Sequence, residues 1–380
     1  MKPRYVTDVT HLTNIPEADR LILQQVAAQY AFRINEYYLG LIDWSDPKDP
    51  IRQLVIPRPE ELTEWGELDA SNEAAYTPVR GVQHKYRDTA LLLCNEVCGA
   101  YCRYCFRKRL FMNDNDEASL DISEGLRYIA SHPEISNVLL TGGDPLLLST
   151  RRLGEIFAEL RAIPHVRTIR IGSKMPAFNP WRVLDDQPLL DLLGLHSQPG
   201  RRIYLMAHFD HPRELTLDAV EGLARMQRRG VRMINQCPLI RGVNDNAEVL
   251  RELFQEMAWI GAPQYYIFQG RPTAGNAPYE VPLVEGYQLV QKARAGCSGL
   301  ESQARFVMSH ATGKVEMVGL DRKHIYLRYH RAHAKADHGR LMVFRRDDSA
   351  SWLDDLVAVD WSQGLRNDPH SGAEAGIMAA

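Results

Sequence analysis

The chain has no apolar run approaching the ~20 residues that a membrane span requires. Its opening stretch, MKPRYVTDVTHLTNIP, contains neither an apolar core segment nor a small-residue cleavage site. These two absences lead to the expectation of a cytoplasmic protein with no membrane contact. Charge of one sign is also lacking, because 45 basic and 48 acidic residues interleave to a formal net charge of -3. No basic face for nucleic acid follows from that balance, and the expected partners are small molecules. No internal repeat or low-complexity tract breaks the 380 residues, a length that suits one large α/β domain with additions at its ends or two ordinary domains. Cysteine is scarce except in one place: four of the six fall between Cys94 and Cys105, in CNEVCGAYCRYCFRKR. In a reducing compartment such a cluster points to a metal or catalytic site before a disulfide framework.

Residues 1–88 read as helical or irregular, an entry segment wrapped on the domain after it. An amphipathic run, LILQQVAAQYAFRI (Leu21 to Ile34), precedes the Pro-rich DWSDPKDPIRQLVIPRPEEL, where proline forbids a continuous helix. From Thr89 the rhythm changes. Six short apolar runs, TALLLC, NVLLTGG, TIRIGS, RIYLMAHF, VRMINQCPL and QYYIFQG, alternate with helix candidates, two of which close at Gly230 and Gly261. Such alternation implies a parallel sheet of right-handed βαβ units, doubly wound or a full or partial barrel, with ligands at the carboxyl ends of the strands. The expected division is 1–88, 89–320 and 321–380. The last part holds a strand candidate, GRLMVFRR, with an oligomer-forming or lid role, and a small polar tail, GLRNDPHSGAEAGIMAA.

Cys98, Cys102 and Cys105 stand in a C-x3-C-x2-C pattern directly after the first of these strands. Three thiolates on a cubane iron-sulfur cluster leave one iron open for a ligand. Adding Cys94 would complete a closed four-thiolate zinc site, but Cys94 ends the apolar run ALLLC and reads as core, as does Cys237. Cys297 has no visible partner. With Tyr104 before its last cysteine, the motif resembles the signature of the radical S-adenosylmethionine enzymes. The strand end Thr141, Gly142, Gly143, Asp144 is similar to the glycine-rich element that meets the methionine ammonium in that superfamily, where a Cβ would block close approach. The resemblance implies a [4Fe-4S] cluster on Cys98, Cys102 and Cys105, S-adenosyl-L-methionine at Gly142, Gly143 and Asp144, and a one-electron donor such as flavodoxin or ferredoxin.

Further phrases, DPKDPIRQLVIP, CGAYCRYCFRKR, NVLLTGGDPLLL, IRIGSKMP, AHFDHPRELT and NQCPLIRGVND, together resemble the lysine 2,3-aminomutase family over roughly residues 43 to 320. The resemblance implies an α/β fold: a partial (β/α)6 barrel with an N-terminal helical segment and a short C-terminal extension, open to assembly as a homo-oligomer. It also implies a pyridoxal 5'-phosphate-dependent radical isomerase that moves the α-amino group of an amino acid to its β-carbon. Lys314, in a loop after the last core strand (FVMSHATGKVEMVGL), is then the Schiff-base lysine and Arg107 the binder of the substrate carboxylate. Lys85 takes the place of a phosphate-binding arginine, with Arg87 as a substitute, and His208, Asn235 and Gln236 are cofactor contacts.

Departures from the family matter for the substrate. Lysine-specific members grip the distal ammonium with two aspartates; here Arg271, in FQGRPTAG, stands at the first position, and Val307, Met308 and Ser309 offer no carboxylate at the second. An ammonium ~4 Å from a guanidinium is repelled by about 4 kcal/mol at an effective dielectric of 20, nearly three decades in affinity. The expected substrate is glutamate or another acidic or polar amino acid. Lysine itself stays an alternative, as does a radical enzyme without Schiff-base chemistry, such as a decarboxylase or a modifier of a protein-attached amino acid. The family's intersubunit zinc is not expected, since Asn246 stands at one ligand position and the C-terminal cysteines have no counterpart beyond Cys297. His330, His333 and His338, in YHRAHAKADH, read as a solvated basic segment.

Overall fold

Seven parallel strands form the body of an eleven-stranded sheet in the computed structural model, which describes residues 3–112 and 117–359. The tail GLRNDPHSGAEAGIMAA lies outside the described residues. In chain order the strands are β1 (Val82–Tyr86), β2 (Thr89–Asn95), β3 (Asn137–Gly142), β4 (Thr168–Ser173), β5 (Ile203–Ala207), β6 (Arg232–Pro238), β7 (Gln264–Phe268), β8 (Arg305–His310), β9 (Gly313–Leu320), β10 (His324–Ala332) and β11 (Leu341–Arg345). Strands β2 to β8 run parallel and neighbour one another in sequence order. Their connections carry helices α2 (Ser123–Ala130), α3 (Thr150–Ala162), α4 (Gln187–His196), α5 (Leu217–Arg228), α6 (Ala247–Trp259) and α7 (Leu283–Ala295), after an N-terminal α1 (Glu17–Gln29). Six β–α units and one further parallel strand make a partial barrel.

Side-chain alternation explains why this sheet has a packed outside and a usable inside. Leu92, Leu140, Ile171 and Leu205 lie in register across four strands and are fully buried. Each contributes about 1.5–3 kcal/mol by leaving water. One residue earlier on three of the same strands, Leu91, Leu139 and Arg170 also lie in register, and these line an internal cavity. An arginine among the inward residues of a buried strand is a position no packing argument would choose.

The helix stops at Gly230 and Gly261 form as expected, both glycines taking positive φ (81° and 83°). Asn246 caps α6, its Oδ1 accepting from the N–H groups of Glu248 and Val249. Three expectations need correction. The N-terminal helix ends at Gln29, and Ile34 instead pairs with Val6 in a two-residue ribbon. Residues 82–86, read as part of an irregular segment, form β1, antiparallel to β2. The segment YHRAHAKADH is not wholly solvated, because β10 runs to Ala332 and buries Ile325, Leu327 and Tyr329 on one face.

No ladder joins β1 to β8–β10 across the open side of the barrel; side chains bridge it. Arg331 pairs with Asp88, Lys85 Nζ donates to the His310 carbonyl, and Tyr76 Oη donates to Ala311 O at 2.7 Å. The C-terminal strands thereby close the wall of the cavity. Among the described residues no helix is long and apolar enough to cross a membrane.

Candidate active site

A cavity of about 370 Å³ runs inside the barrel, within the usual range for small-molecule sites. Cys98, Cys102 and Cys105 line one end of it, on the loop after β2. The N-terminal segment holds this loop in shape. Arg33 Nε donates to Cys98 O at 3.0 Å, Arg103 N donates to Leu54 O at 2.9 Å, and the Arg103 guanidinium forms a buried ion pair with Glu61 at 2.7 Å. Burial pushes the Cys102 thiol up to about 12 and raises the Cys98 and Cys105 thiols as well. Ionised Cys105 would raise both Cys98 and Cys102, and ionised Cys102 would raise Cys98 further. Among the described residues no three His, Cys, Asp or Glu side chains surround a point where one metal ion could sit. Three thiols on one loop match a cubane iron-sulfur cluster held by three protein ligands with one iron open, whereas a closed zinc site takes four.

Beside the thiols, β3 ends in a ledge that only glycine permits. Gly142 takes φ +103°, and a Cβ on Gly143 would lie 2.4 Å from Val97 O. Bare backbone thus faces the cavity next to the cysteine loop. Asp144 lines the cavity beside the two glycines, and its side chain accepts from Ser173 Oγ and from the N–H groups of Leu146, Lys174 and Met175. Burial raises its carboxyl to about 6 despite those donors. Its work is to tie the end of β3 to the end of β4.

His208 and Gln236 line the cavity, but Asn235 does not. Asn235 is fully buried, its Oδ1 accepting from Phe209 N at 2.9 Å and its Nδ2 donating to Phe209 O at 3.0 Å and Gln264 Oε1 at 2.7 Å. With its amide spent on both neighbours, it is no cofactor contact. His208 Nε2 meets Asp210 Oδ1 at 3.0 Å in a buried network that the sequence does not reveal. There Lys174 Nζ reaches Asp210 and Glu214, each at 2.6 Å, and Tyr104 Oη donates to Asp210 at 2.5 Å. The network ties the cysteine loop, through Tyr104, to the ends of β4 and β5.

Lys314 also lines the cavity and sits on β9, not in a loop; the connection from β8 is the tight turn at Ala311 and Thr312. Gly313 precedes it because a Cβ there would lie 2.3 Å from the Arg331 carbonyl across the hairpin. The Lys314 Nζ lies over the rings of Phe268 (4.6 Å) and Tyr266 (4.8 Å). Burial, then the charges of Arg271, Arg170, Arg331 and Lys85, hold its ammonium well below the ordinary lysine range. The shift favours the neutral amine, the form a carbonyl-binding lysine needs. Lys85 also lines the cavity, lowered to about 8 by burial and by Arg271, whereas Arg87 is exposed and does not line it.

Arg107 and Arg271 converge on Glu73, a residue that no motif singles out. Arg107 Nε and Nη2 donate to Glu73 at 3.1 and 3.0 Å, Nη2 also to Gln83 at 2.8 Å, and Nη1 to Thr141 at 3.1 Å. Of its five N–H groups, one on Nη1 makes no bond to the described residues. Arg271 stacks on Phe106 at 3.6 Å and meets Glu73 only at 3.5 Å. Arg109 adds a third guanidinium on Glu73 at 2.8 Å. Although burial alone would raise the Glu73 carboxyl, Arg107, Arg271 and Arg109 hold it far below the usual range.

Comparison with known proteins agrees with this arrangement. The family model described as the Radical SAM superfamily matches residues 93–254. A protein of Aquifex aeolicus named "Putative L-lysine 2,3-aminomutase" is 54% identical over 359 residues, 94% of this chain and 96% of its own length. The L-lysine 2,3-aminomutase of Fusobacterium nucleatum is 33% identical over 77% of this chain and 68% of its own. The glutamate 2,3-aminomutase of Clostridioides difficile is 32% identical over 78% of this chain and 70% of its own. Radical S-adenosylmethionine chemistry implies a [4Fe-4S] cluster and S-adenosyl-L-methionine as cofactors. With a barrel that gathers three thiols, a glycine ledge and a buried lysine around one cavity, the chain belongs to the lysine/glutamate 2,3-aminomutase family of radical S-adenosylmethionine enzymes and is an amino-acid 2,3-aminomutase, an isomerase.

Proposed function

We propose that the enzyme acts on glutamate or a similarly short acidic amino acid, with Lys314 carrying pyridoxal 5'-phosphate and Cys98, Cys102 and Cys105 holding the cluster. In this reading Gly142, Gly143, His208 and Gln236 receive S-adenosyl-L-methionine at the sulfur end. When bound, the cluster and its sulfonium ligand supply a carbon-centred radical, and the aldehyde cofactor supplies the carbonyl on which the amino group moves. The protein's own residues bind, orient and keep water out. Lys314 presents an amine whose neutral form its surroundings favour, and Arg107 keeps one N–H on Nη1 for a carboxylate.

The single observation that carries the substrate reading is the charge of the wall. Besides Lys314 and a Lys174 that is spent on Asp210 and Glu214, Lys85, Arg107, Arg170, Arg271 and Arg331 line the cavity against Glu73, Asp144 and Glu280. Of those three, Asp144 is spent inside the wall and Glu73 is held by three guanidiniums. The third, Glu280, has no ion pair among the described residues; a distal ammonium placed at Arg271 would meet the guanidiniums gathered on Glu73, while a carboxylate there finds the unspent donors of Arg271. The name of the Aquifex aeolicus relative favours lysine as a second reading.

Substituting Arg271→Asp separates the two. The wild-type enzyme should favour glutamate over lysine in kcat/KM by about 100-fold or more, and the variant should lose that preference by at least the same factor. Equal or better turnover of lysine by the wild type would refute the acidic-substrate reading.

A further inference from the structure

Lys314 has a cross-strand partner that lies beyond the stretch of family resemblance. In the β9–β10 hairpin Lys314 is paired with Arg331, and directly opposed residues of an antiparallel pair project from the same face with Cβ atoms about 4.5–5.5 Å apart. Arg331 lines the same cavity. It stacks on Tyr86 at 4.5 Å and gives Nη2 to Asp88, a carboxylate that is 59% exposed. Its Nε and Nη1 make no hydrogen bond to any described residue.

Arg170 approaches from the other wall. It is level with Leu139, three residues before Gly142, which places it roughly 10 Å farther down the barrel than the glycine ledge. Its Nε donates to Asn137 Oδ1 at 2.8 Å, and both Nη groups are without a hydrogen-bond partner among the described residues. Lys85, the third cation, spends one donor on the His310 carbonyl, next to the hairpin turn. None of the three has a buried carboxylate as a hydrogen-bonded partner. Three cations with unspent donors around one buried lysine form an unusual concentration of positive charge, and an enclosed site of that kind requires a multiply charged anion with several acceptor oxygens.

We infer that Arg331, supplied by the C-terminal hairpin, joins Arg170 and Lys85 as the receptor for the phosphate group of the aldehyde cofactor. The inference rests on the reading of Lys314 as the residue that carries that cofactor. It gives Arg331 a direct part in cofactor binding, and it turns the segment after residue 320 from an appendage into one wall of the site. The two ends of the cavity then divide the work: sulfur and bare backbone at one, phosphate at the other, with the substrate between them. The Asp88 ion pair holds Arg331 by one edge and leaves the other to face inward.

The test compares pyridoxal 5'-phosphate with pyridoxal, which lacks the phosphate, on the reconstituted full-length protein by equilibrium dialysis. Arg331→Gln should weaken binding of the phosphorylated aldehyde about 10–100-fold, the effect of losing a charge-assisted contact, and change pyridoxal less than about threefold. Arg170→Gln should show the same signature. Inorganic phosphate should compete with the cofactor in the wild type and more weakly in either variant. If both aldehydes weaken together, or neither does, the phosphate assignment is overturned. Borohydride fixation keeps the two claims apart: a pyridoxyl label on Lys314 with unchanged affinity in the variants overturns the assignment alone. No label on Lys314 in the wild type overturns both.

Discussion

Methionine in place of Lys314 is expected to leave a folded protein whose aminomutase turnover has fallen by about five orders of magnitude. That is the lower end of what a tethered reactant gains over a free one. Replacing the amine over Phe268 and Tyr266 with a chain of similar length costs little packing. The sign of the stability change comes from linkage. The folded pKa of Lys314 lies below its ordinary value of 10.5, so below that pH folding works against its charged form. The variant escapes that cost and should unfold at higher urea than the wild type below about pH 10. Urea midpoints and product assays on the same preparations check both statements. A variant that keeps a tenth of wild-type turnover would show that Lys314 is not the anchor.

Lys174→Met should destabilise the protein by about 3–5 kcal/mol, because it strands two buried carboxylates. Asp210 and Glu214 are fully buried, and Lys174 bridges them at 2.6 Å on each side. Although burial alone would lower its pKa, Lys174 is held above 10.5 by Asp210 and Glu214, so its contribution is whole below that pH and is lost as pH rises through the folded value. Asp210, which burial alone would raise, is held below 3.8 by His208 and Lys174. Its share is present above that value and lost as pH falls through the folded one. The Lys174 share of the network should therefore be constant between roughly pH 4 and 10. Because Tyr104 donates to Asp210, the variant should also bind less iron per chain on reconstitution. Unchanged urea midpoints would show that the network does not stabilise the fold.

Much of the barrel was legible because strand and helix periods leave separate marks in sequence. TALLLC, TIRIGS and their neighbours had to become strands, and the glycines at 230 and 261 had to end helices. The cysteine spacing was legible because the chemistry of a cluster with one open iron restricts it. β1 was missed because VQHKY carries polar residues at its inward positions, where they face the cavity instead of a core. Asn235 could not have been excluded from sequence, because the ladder shifts register between Asn235 and Gln236, and Gln236, Cys237 and Pro238 in succession all line the cavity. Glu73 could not have been found. It gains its meaning from Arg107 and Arg271, which are remote in sequence, and nothing local in SNEAAY marks it. Arg331 was hidden in a run of charges whose alternation, Ile325, Leu327 and Tyr329 inward, is plain only once β10 is seen.

One cavity must unite a radical source with an amino acid anchored near Lys314. The most direct measurement is to give the anaerobically reconstituted protein S-adenosyl-L-methionine, pyridoxal 5'-phosphate, a strong reductant and each of the twenty amino acids singly, and to search for β-isomers. β-Glutamate, or the β-isomer of another short acidic amino acid, is the predicted product. Cleavage of S-adenosyl-L-methionine with no β-amino acid from any of the twenty would contradict it.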